Sequence, residues 1–418
     1  MDRRKFLAAM GVAGASFALP FQAKAAALAR KVKITDVKVM VIRGTWDWNL
    51  IRIDTDAGIS GIGEAYWGPG VKDMILTRFK EQLVGEDPLN VVKLYTKLLL
   101  FNGGYGAIGG VTVHAASGVE IALWDLAGRL LETPVVNLLG GRFRDRVRFY
   151  RTLPAPERNP ADPKAWGDQA AEAKANNPYG FTAFKVQGDA VPRTADPTYS
   201  EPGHDQYTNQ LTNLDIRRIV DRMERMRASF GETDFAMECH WKYSTNDVIK
   251  LCNALQPIDL MFVEDPVPPE NAETMARVAH ATDVPICTGE NLYGFAGFRE
   301  LIEKQGCAGV HIDIPKSGGL FEAKRISDFA DHYGIWTAAH NPASPIGTIA
   351  SAHACASVRN FRVHELARWV DWWPTLVTHD GPFWKNGYFE IQDKPGLGVD
   401  LNPDVARAHL APGESWWG

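Results

Sequence analysis

The sequence predicts an α/β fold in which a barrel of repeated strand–helix units follows a smaller α+β domain. The main observation is that three glutamates, Glu238, Glu264 and Glu290, stand 26 residues apart and each closes a short apolar run. That interval is the length of one strand, one loop and one helix, and repeated βα units of this kind close into a barrel. The glutamates would therefore meet at one mouth of the barrel, where the C-terminal ends of the strands converge.

The same pattern of polar residues at strand ends continues before and after the glutamates along the chain. Further apolar runs end at or near polar side chains, which are Asp313, His340 and Glu365 downstream and Lys185 and Gln187 upstream. Because side chains alternate along a strand with a period of two, His240 faces the same way as Glu238. The same rule places Lys185 and Gln187 on one face. His311 also faces inward, one layer deeper, and is predicted to pack rather than to react.

Residues 31–145 show a different pattern, which predicts the α+β domain. Apolar runs predict strands at 32–43, 50–54 and 58–64, and helical periodicity follows at 71–83, 89–99 and 113–131. A meander of strands followed by helices is typical of an α+β domain. The barrel is then expected over residues 146–374, and residues 375–418 are expected to pack back on the first domain.

The N-terminus is typical of an export signal. Arg3 and Arg4 are followed by a weakly apolar run to Leu19 and by small residues that end at Ala25. This arrangement resembles a twin-arginine signal over residues 1–30, with cleavage near Ala25. It predicts a periplasmic location for the mature protein.

Composition argues against several kinds of partner and crosslink. The formal net charge is −5 over 418 residues, which gives no sign of a nucleic-acid partner. No internal apolar run is long enough to span a bilayer, so no membrane contact is expected in the mature form. The five cysteines are scattered and odd in number, which argues against a disulfide framework.

The three glutamates also predict a cofactor. Three carboxylates at one barrel mouth would repel one another unless a cation lay between them. Hard oxygen ligands in that number suit Mg²⁺. The spacing of Glu238, Glu264 and Glu290 therefore predicts a metal enzyme with Mg²⁺ as its cofactor.

Five motifs along the chain together resemble one family. They are Ser117-Gly-Val-Glu-Ile-Ala-Leu-Trp-Asp-Leu-Ala-Gly128, Val263-Glu-Asp-Pro266, Thr288-Gly-Glu-Asn291, Asp313-Ile-Pro-Lys-Ser-Gly-Gly319 and Ala339-His340. In order and spacing they are similar to the enolase superfamily, in the branch that contains mandelate racemase and the acid-sugar dehydratases. The resemblance covers nearly all of the chain after the export signal. It implies a modified (β/α)7β TIM barrel with an α+β N-terminal capping domain.

The resemblance also implies roles for the strand-end residues. The Mg²⁺ ligands of the family correspond to Glu238, Glu264 and Glu290. The family usually has Asp as the first of these ligands. Asp313 and His340 correspond to a base dyad that removes the proton alpha to a carboxylate, and Glu365 corresponds to an acid that faces the substrate. A divalent cation offsets the charge of the enediolate that this proton removal creates.

The reaction that the resemblance implies is the dehydration of an acid sugar. In racemase-like members a second base is the latter Lys of a Lys-x-Lys pair, and here Gln187 takes that position after Lys185. Lys185 can still neutralise the substrate carboxylate. In galactonate-type dehydratases a His at the position of His240 resembles the acid that protonates the leaving hydroxide. The expected reaction converts an aldonate or an aldarate, a small-molecule acid sugar, into a 2-keto-3-deoxy acid.

Substrate contacts and reaction class leave alternatives open. Trp46 and Tyr66 lie where the cap loops of this family reach the site, and Tyr207 lies in a long segment, 189–210, that predicts a lid. The sequence is also compatible with an enolate-forming epimerase or cycloisomerase, and with an exported, catalytically silent carbohydrate-binding protein. The family further implies a homo-oligomer, either a dimer or an octamer.

Overall fold

The computed structural model describes residues 32–106, 108–157, 159, 161–188, 209–367 and 370–417. The predicted export signal lies outside the described residues, and so do residues 189–208 of the predicted lid, with Tyr207. None of the described helices combines the length and the apolar composition that crossing a membrane requires.

The first domain pairs a three-stranded sheet with helices. The antiparallel strands β1 (Ile34–Arg43), β2 (Asp47–Thr55) and β3 (Ser60–Ala65) form a meander in the order β1-β2-β3. The helices are α1 (Val71–Met74), a π-helical turn (Ile75–Phe79), α2 (Lys80–Leu83), α3 (Val91–Phe101), a 3-10 turn (Gly103–Tyr105), α4 (Val111–Leu130) and α5 (Val135–Leu138). Helix α4 packs closely on the sheet, because a Cβ on Gly63 of β3 would lie 2.5 Å from the carbonyl oxygen of Gly118 in α4.

The second domain is a closed barrel of parallel strands. Its strands are β4 (Arg146–Leu153), β5 (Ala183–Gln187), β6 (Asp234–Glu238), β7 (Val263–Glu264), β8 (Ile286–Thr288), β9 (Gly309–Asp313), β10 (Trp336–His340) and β11 (Phe361–Leu366). Each strand pairs with the next along the chain, and β11 pairs with β4 to close the barrel.

Helices connect consecutive barrel strands. They are α6 (Pro163–Ala175), α7 (Asn213–Phe230), α8 (Thr245–Leu255) with a 3-10 turn (Gln256–Ile258), α9 (Ala272–Ala279), α10 (Gly294–Glu303), α11 (Ile314–Ser317) with α12 (Gly319–His332), and α13 (Pro345–Ala356). After β11 the chain leaves the barrel through a 3-10 turn (Trp373–Leu376). The predicted modified (β/α)7β TIM barrel with an α+β capping domain is confirmed.

The register of the barrel brings the strand ends together. Gln187 of β5 pairs with Glu238 of β6, and Glu238 pairs with Glu264 of β7. On the other side of the barrel, Asp313 of β9 pairs with His340 of β10. The polar strand ends therefore border one space at the C-terminal mouth, which is where barrel enzymes carry their active sites.

The C-terminal segment contacts both domains. It contains β12 (Val377–Thr378), β13 (Tyr388–Glu390), β14 (Asp400–Leu401) and α14 (Pro403–Ala408). Strand β13 pairs with β4 of the barrel. On the capping domain, the backbone N–H of Leu397 donates to Asp125 Oδ1 at 2.7 Å, and Lys72 Nζ lies 2.7 Å from Glu414 Oε2.

Two buried glutamates join the capping domain to the barrel. Glu64 of β3 accepts hydrogen bonds at the start of α13. Glu120 of α4 accepts hydrogen bonds from the backbone N–H groups of Leu320 and Phe321, both at 2.9 Å, at the start of α12. The first N–H groups of a helix have no partner within it and bind anions well. These contacts fix the capping domain over the barrel mouth.

Candidate active site

A cavity of about 330 Å³ lies between the barrel mouth and the capping domain. The barrel contributes Thr152, Lys185, Gln187, Glu238, His240, Glu290, His340, Pro342, Glu365 and Ala367, and the capping domain contributes Trp46, Tyr66 and Trp67. The end of the cavity at the barrel is charged, whereas the end at the cap is aromatic. Of the residues predicted from sequence, Glu264 and Asp313 lie behind this lining, where they contact His311 and His340 respectively.

Lys185 is the central cation of the site. Its Nζ lies 3.2 Å from Glu238 Oε2, 2.8 Å from Glu264 Oε2 and 3.1 Å from Glu365 Oε1. Burial lowers the pKa of Lys185, but the surrounding carboxylates outweigh burial and raise that pKa well above its ordinary value. The ammonium group is therefore charged, and it compensates several carboxylates at once.

Of the three predicted metal ligands, Glu264 and Glu290 lie together with His311, and Glu238 contacts Lys185 beside them. Ligand atoms of Glu264, Glu290 and His311 all lie within 4.8 Å of one another. Glu238 presents Oε2 to Lys185, while its Oε1 accepts hydrogen bonds from the backbone N–H groups of Cys239 at 3.0 Å and His240 at 2.8 Å. Burial and the neighbouring Glu264 raise the pKa of Glu238 well above its ordinary value. Such crowding of carboxylates is costly without added positive charge, so the donor set fits a hard divalent cation.

His311 is closer to these carboxylates than the sequence predicted. The expectation was a packing residue one layer deeper than the reacting groups. In the structure its Nδ1 lies 2.5 Å from Glu264 Oε1, and its Nε2 lies 3.3 Å from the hydroxyl of Tyr150. His311 is fully buried, so it holds Glu264 in a fixed orientation.

Asp313 and His340 form a hydrogen-bonded pair. His340 Nδ1 lies 2.7 Å from Asp313 Oδ2, and its Nε2 points to the carboxylates, 3.0 Å from Glu290 Oε2 and 3.6 Å from Glu365 Oε2. Burial lowers the pKa of His340, but Glu290 and Glu365 outweigh burial and raise that pKa well above its ordinary value. With Nδ1–H donating to Asp313, Nε2 is the nitrogen that gives up or takes up a proton in the cavity.

Glu365 is held by an ion pair with Lys185 and by two hydrogen-bond donors. Its Oε1 accepts a hydrogen bond from the hydroxyl of Thr152 at 2.6 Å, and its Oε2 accepts one from the backbone N–H of Asn341 at 3.2 Å. Burial raises the pKa of Glu365, but Lys185 and His340 outweigh burial and lower it. Sequence reasoning missed Thr152, although the strand-end rule could have found it, because Thr152 pairs with Lys185 in the register of β4 and β5.

His240 reaches the cavity through an unusual backbone. His240 and Trp241 follow β6 with φ angles of 45° and 49°, in the left-handed region. That conformation costs a residue other than glycine about 1–3 kcal/mol and persists only where the surroundings enforce it. The N–H of His240 donates to Glu238, and the N–H of Trp241 donates to the carbonyl oxygen of Asp265 at 2.6 Å. In this conformation His240 lines the same cavity as Glu238 and Glu290.

A second chain of contacts, which the sequence did not predict, supports Glu290 from behind. Asn291 Nδ2 donates to Glu290 Oε1 at 3.2 Å, and Lys316 Nζ donates to Asn291 Oδ1 at 2.7 Å. The ammonium group of Lys316 also lies 4.8 Å from the ring centre of Tyr66 in the capping domain. Lys316 therefore connects one acidic residue of the barrel with one aromatic wall of the cavity.

Two family profiles match the chain, one for each domain. The N-terminal domain of the mandelate racemase/muconate lactonizing enzyme family matches residues 25–140, and the enolase C-terminal domain-like family matches residues 168–405. The chain belongs to the mandelate racemase/muconate lactonizing enzyme family of the enolase superfamily, as the motifs predicted.

Named relatives share most of the chain. A D-xylonate dehydratase of Haloferax volcanii is 38% identical over 390 residues, which cover 92% of this chain and 91% of that protein. A D-galactonate dehydratase of Ralstonia nicotianae is 30% identical and covers 87% of this chain and 92% of its own length.

Solved structures agree with this fold. A mandelate racemase/muconate lactonizing enzyme-like protein of Rubrobacter xylanophilus superposes with a TM-score of 0.84 at 33% identity, over 93% of this chain and 100% of its own. A 3,6-anhydro-D-galactonate cycloisomerase of Zobellia galactanivorans superposes with a TM-score of 0.75 at 26% identity, over 91% of this chain and 99% of its own.

Proposed function

We propose that the protein is a Mg²⁺-dependent hydro-lyase that dehydrates an acid sugar to a 2-keto-3-deoxy acid. The observation that carries the proposal is the Asp313–His340 pair, which faces a cluster of buried carboxylates across one cavity. The relatives named as D-xylonate and D-galactonate dehydratases support this reaction class. Binding alone would need no base, which argues against a silent carbohydrate-binding protein.

In the proposed reaction His340 removes the proton alpha to the substrate carboxylate. Asp313 accepts the Nδ1–H hydrogen bond at 2.7 Å, which fixes the tautomer and leaves Nε2 toward the cavity. An imidazole paired in this way is a competent base, because the carboxylate stabilises the imidazolium that forms. The proton moves from the alpha carbon of the substrate to Nε2 of His340.

Glu238, Glu264 and Glu290 would hold Mg²⁺ in this site. When bound, the cation offsets the negative charge that develops on the substrate carboxylate as the alpha proton leaves. Lys185 adds a fixed positive charge at the same end of the cavity. The carboxylate of the substrate therefore belongs at the barrel end of the cavity.

His240 completes the elimination in this proposal. It lines the same cavity as His340. The bond between C3 and its hydroxyl breaks, and the hydroxyl leaves as water after it takes a proton from the imidazole of His240. The resulting enol tautomerises to the 2-keto-3-deoxy acid. Glu365, fixed by Thr152 and Lys185, stays ionised and orients His340 from the side.

The cavity favours an aldonate over an aldarate. An aldarate carries a second carboxylate at its far end, which would face the capping domain. Trp46, Tyr66 and Trp67 form that end, and among the described residues that line the cavity Lys185 is the single lysine or arginine. Lys316 lies 4.8 Å from the ring centre of Tyr66 but does not line the cavity, so no lysine or arginine among the described lining residues faces a second carboxylate at this end. The hydroxyl at the end of an aldonate would not need one.

A cycloisomerase is the second candidate. The Zobellia galactanivorans structure carries that name, and such a reaction also begins with a single base beside the carboxylate. Gln187 stands where a racemase-like member has its second base, so it opposes racemisation without opposing a one-base cycloisomerisation.

Proton NMR in D₂O with Mg²⁺ tests the function. The mature protein is incubated with xylonate, galactonate, gluconate and a set of aldarates. The proposal expects a 2-keto-3-deoxy product from at least one aldonate. Loss of the alpha-proton signal without a keto product would favour the epimerase or cycloisomerase reading. Binding of an aldonate with no exchange and no product would contradict an enzyme of this class.

Export and assembly are further parts of the proposal. We propose that residues 1–30 direct the protein to the periplasm, which fusion of these residues to a reporter would test. A reporter that stays in the cytoplasm would overturn it. We also propose a homo-oligomer, a dimer or an octamer, and light scattering after size-exclusion chromatography gives its mass directly.

A further inference from the structure

A second, larger cavity adjoins the active site in the capping domain. Its volume is about 620 Å³, compared with about 330 Å³ for the active-site cavity. Two parts of the cap form it, the β1–β2 turn at 43–47 and the segment 67–73, which runs from the loop after β3 into α1. Trp46 and Trp67 line both cavities, so these two rings form the boundary between them.

The walls of this second cavity suit a sugar. Trp67 is 38% exposed and stacks on Tyr66 with ring centres 5.4 Å apart, so its ring is braced from the active-site side. Aromatic faces bind the apolar C–H surface of a sugar ring. Arg43 donates to both carboxylate oxygens of Asp47 at 2.9 Å, and Asp73 lies opposite in α1. Hydroxyl groups can donate to such carboxylates and accept from such a guanidinium group.

The orientation of the substrate points its far end toward this cavity. This orientation rests on the proposed function, in which the carboxylate of an acid sugar lies at the charged barrel end of the cavity. The last carbons of the chain then lie against Trp46 and Trp67. Beyond these rings lies the second cavity, which offers space for a substituent on a distal hydroxyl.

We propose that this second cavity is a subsite for a glycosyl group attached to the distal end of an aldonate. The substrate class would then include aldobionic acids, which are aldonates that carry one further sugar ring. The glycosidic bond is not broken. The base and the metal ligands act on the aldonate unit, while the second ring is held between the two parts of the cap.

Steady-state kinetics of the Mg²⁺-loaded protein test this subsite. Xylonate, gluconate and galactonate are each compared with an aldobionic acid made by oxidising a disaccharide with the same reducing sugar, such as xylobionate and melibionate. Thr45→Trp and Asp73→Trp fill the cavity from its two sides, and neither position lines the active-site cavity. Thr96→Trp, at an exposed position of α3, is the matched control.

The expected result is selective. Thr45→Trp and Asp73→Trp should each lower kcat/KM for the aldobionic acid about tenfold through KM, and leave the plain aldonate within about twofold of wild type. Thr96→Trp should change neither substrate. Two outcomes overturn the subsite: an aldobionic acid that is neither bound nor converted while its aldonate is, or filling variants that affect both substrates equally.

Calorimetry separates the subsite from the proposed function. If no aldonate is converted, the proposed function fails, and titration of xylobionate and xylonate into wild type and Thr45→Trp still decides the subsite. The subsite is supported if Thr45→Trp binds xylobionate more weakly than the wild type does, while it binds xylonate equally well. Equal binding of xylobionate by the two proteins, or no binding by either, overturns it.

Discussion

Glu64 of the capping domain binds Ser344 of the barrel through both of its carboxylate oxygens. Oε1 accepts a hydrogen bond from the backbone N–H of Ser344 at 2.9 Å, and Oε2 accepts one from its hydroxyl at 2.5 Å. Oε2 also accepts from the N–H of Gly347 at 2.9 Å. Ser344 caps α13 and lies two residues after Pro342, which lines the active-site cavity. One cap glutamate therefore fixes the loop that carries the chain away from His340.

Replacing Glu64 by glutamine should destabilise the protein. One acceptor oxygen becomes an NH₂ donor that faces the N–H donors of α13, and a buried group without its partner costs about 1–3 kcal/mol. Urea unfolding is best measured at about pH 5, because burial raises the pKa of this carboxyl to about 7 and the wild-type protein loses stability as the pH rises through that value. Glu81→Gln, at an exposed position of α2, is the control and should stay unchanged. Equal unfolding midpoints for the two variants would contradict this role of Glu64.

The pH dependence of the free energy of unfolding should reflect the titration of Glu120. Burial raises the pKa of this carboxyl to about 8, against the lowering effect of the N–H groups of Phe321 and Leu320. Between the ordinary value of 4.5 and that raised value, the folded protein holds a proton that the unfolded chain has released. The stability that Glu120 contributes is therefore complete below the lower value and is lost as pH rises through the higher one.

Glu120→Gln tests this linkage. The free energy of unfolding is measured at about pH 5 and about pH 9 in wild type and variant. Wild type should lose more stability between the two values, because glutamine does not titrate. Glu81→Gln should keep the wild-type slope. A Glu120→Gln protein with the same slope as wild type would show that the carboxyl does not titrate in this range.

Variants of His340 and His240 should affect two different steps of the proposed reaction. His340→Asn removes the base and should abolish exchange of the alpha proton in D₂O, with kcat lowered by about 10³ or more. His240→Asn should lower dehydration by about 10²–10⁴ and leave measurable exchange, because it lacks only the proposed acid. Proton NMR follows exchange and product together. Normal exchange in His340→Asn would show that the base lies elsewhere.

Much of this site could be predicted from the sequence because its chemistry follows the strand repeat. The 26-residue spacing and the period of two placed Glu238, Glu264 and Glu290 at neighbouring strand ends. Asp313 and His340 followed from the same rule, and the register of β9 and β10 pairs them directly.

The contact between His311 and Glu264 could not be predicted in this way, because the period of a strand gives the face but not the depth. Barrel strands are staggered. Glu264 is level with Cys287, and Cys287 is level with Gly309, so the end of β7 lies near the start of β9. A histidine one layer below Asp313 on its own strand is therefore close to the end of the strand two places away.

Long-range contacts between the two domains also could not be predicted from local sequence patterns. Glu64 and Ser344 are separated by 280 residues, and neither motif around them signals the other. Trp46 and Tyr66 were predicted from the family resemblance to approach the site, and both line the cavity. Their exact neighbours depend on the position of the capping domain on the barrel, which the contacts of Glu64 and Glu120 fix.

Metal binding should stabilise the protein, and more so without Lys185. In Lys185→Met three carboxylates lose the ammonium group that lies 2.8–3.2 Å from them. A ligand that binds the folded state alone raises its stability by mass action. Mg²⁺ added after EDTA treatment should therefore raise Tm in wild type, and by a larger step in Lys185→Met. Lys164→Met, with a 74% exposed side chain, should show the wild-type step. An identical step in all three proteins would contradict this placement of the cation.

Because Gln187 stands in place of a second base, the enzyme should exchange the alpha proton on one face of the substrate only. It lines the cavity two residues after Lys185, on the same face of β5, where a lysine would supply a second base. An amide cannot take up a proton at neutral pH, so deuterium should enter and leave the alpha carbon on the side of His340 alone. Unconverted aldonate recovered from D₂O should keep its configuration. Gln187→Lys should produce the C2 epimer, because it places an amine where racemase-like members have their second base. Epimer from the wild-type protein, detected by NMR of the recovered aldonate, would reveal a second base that this site is not expected to contain.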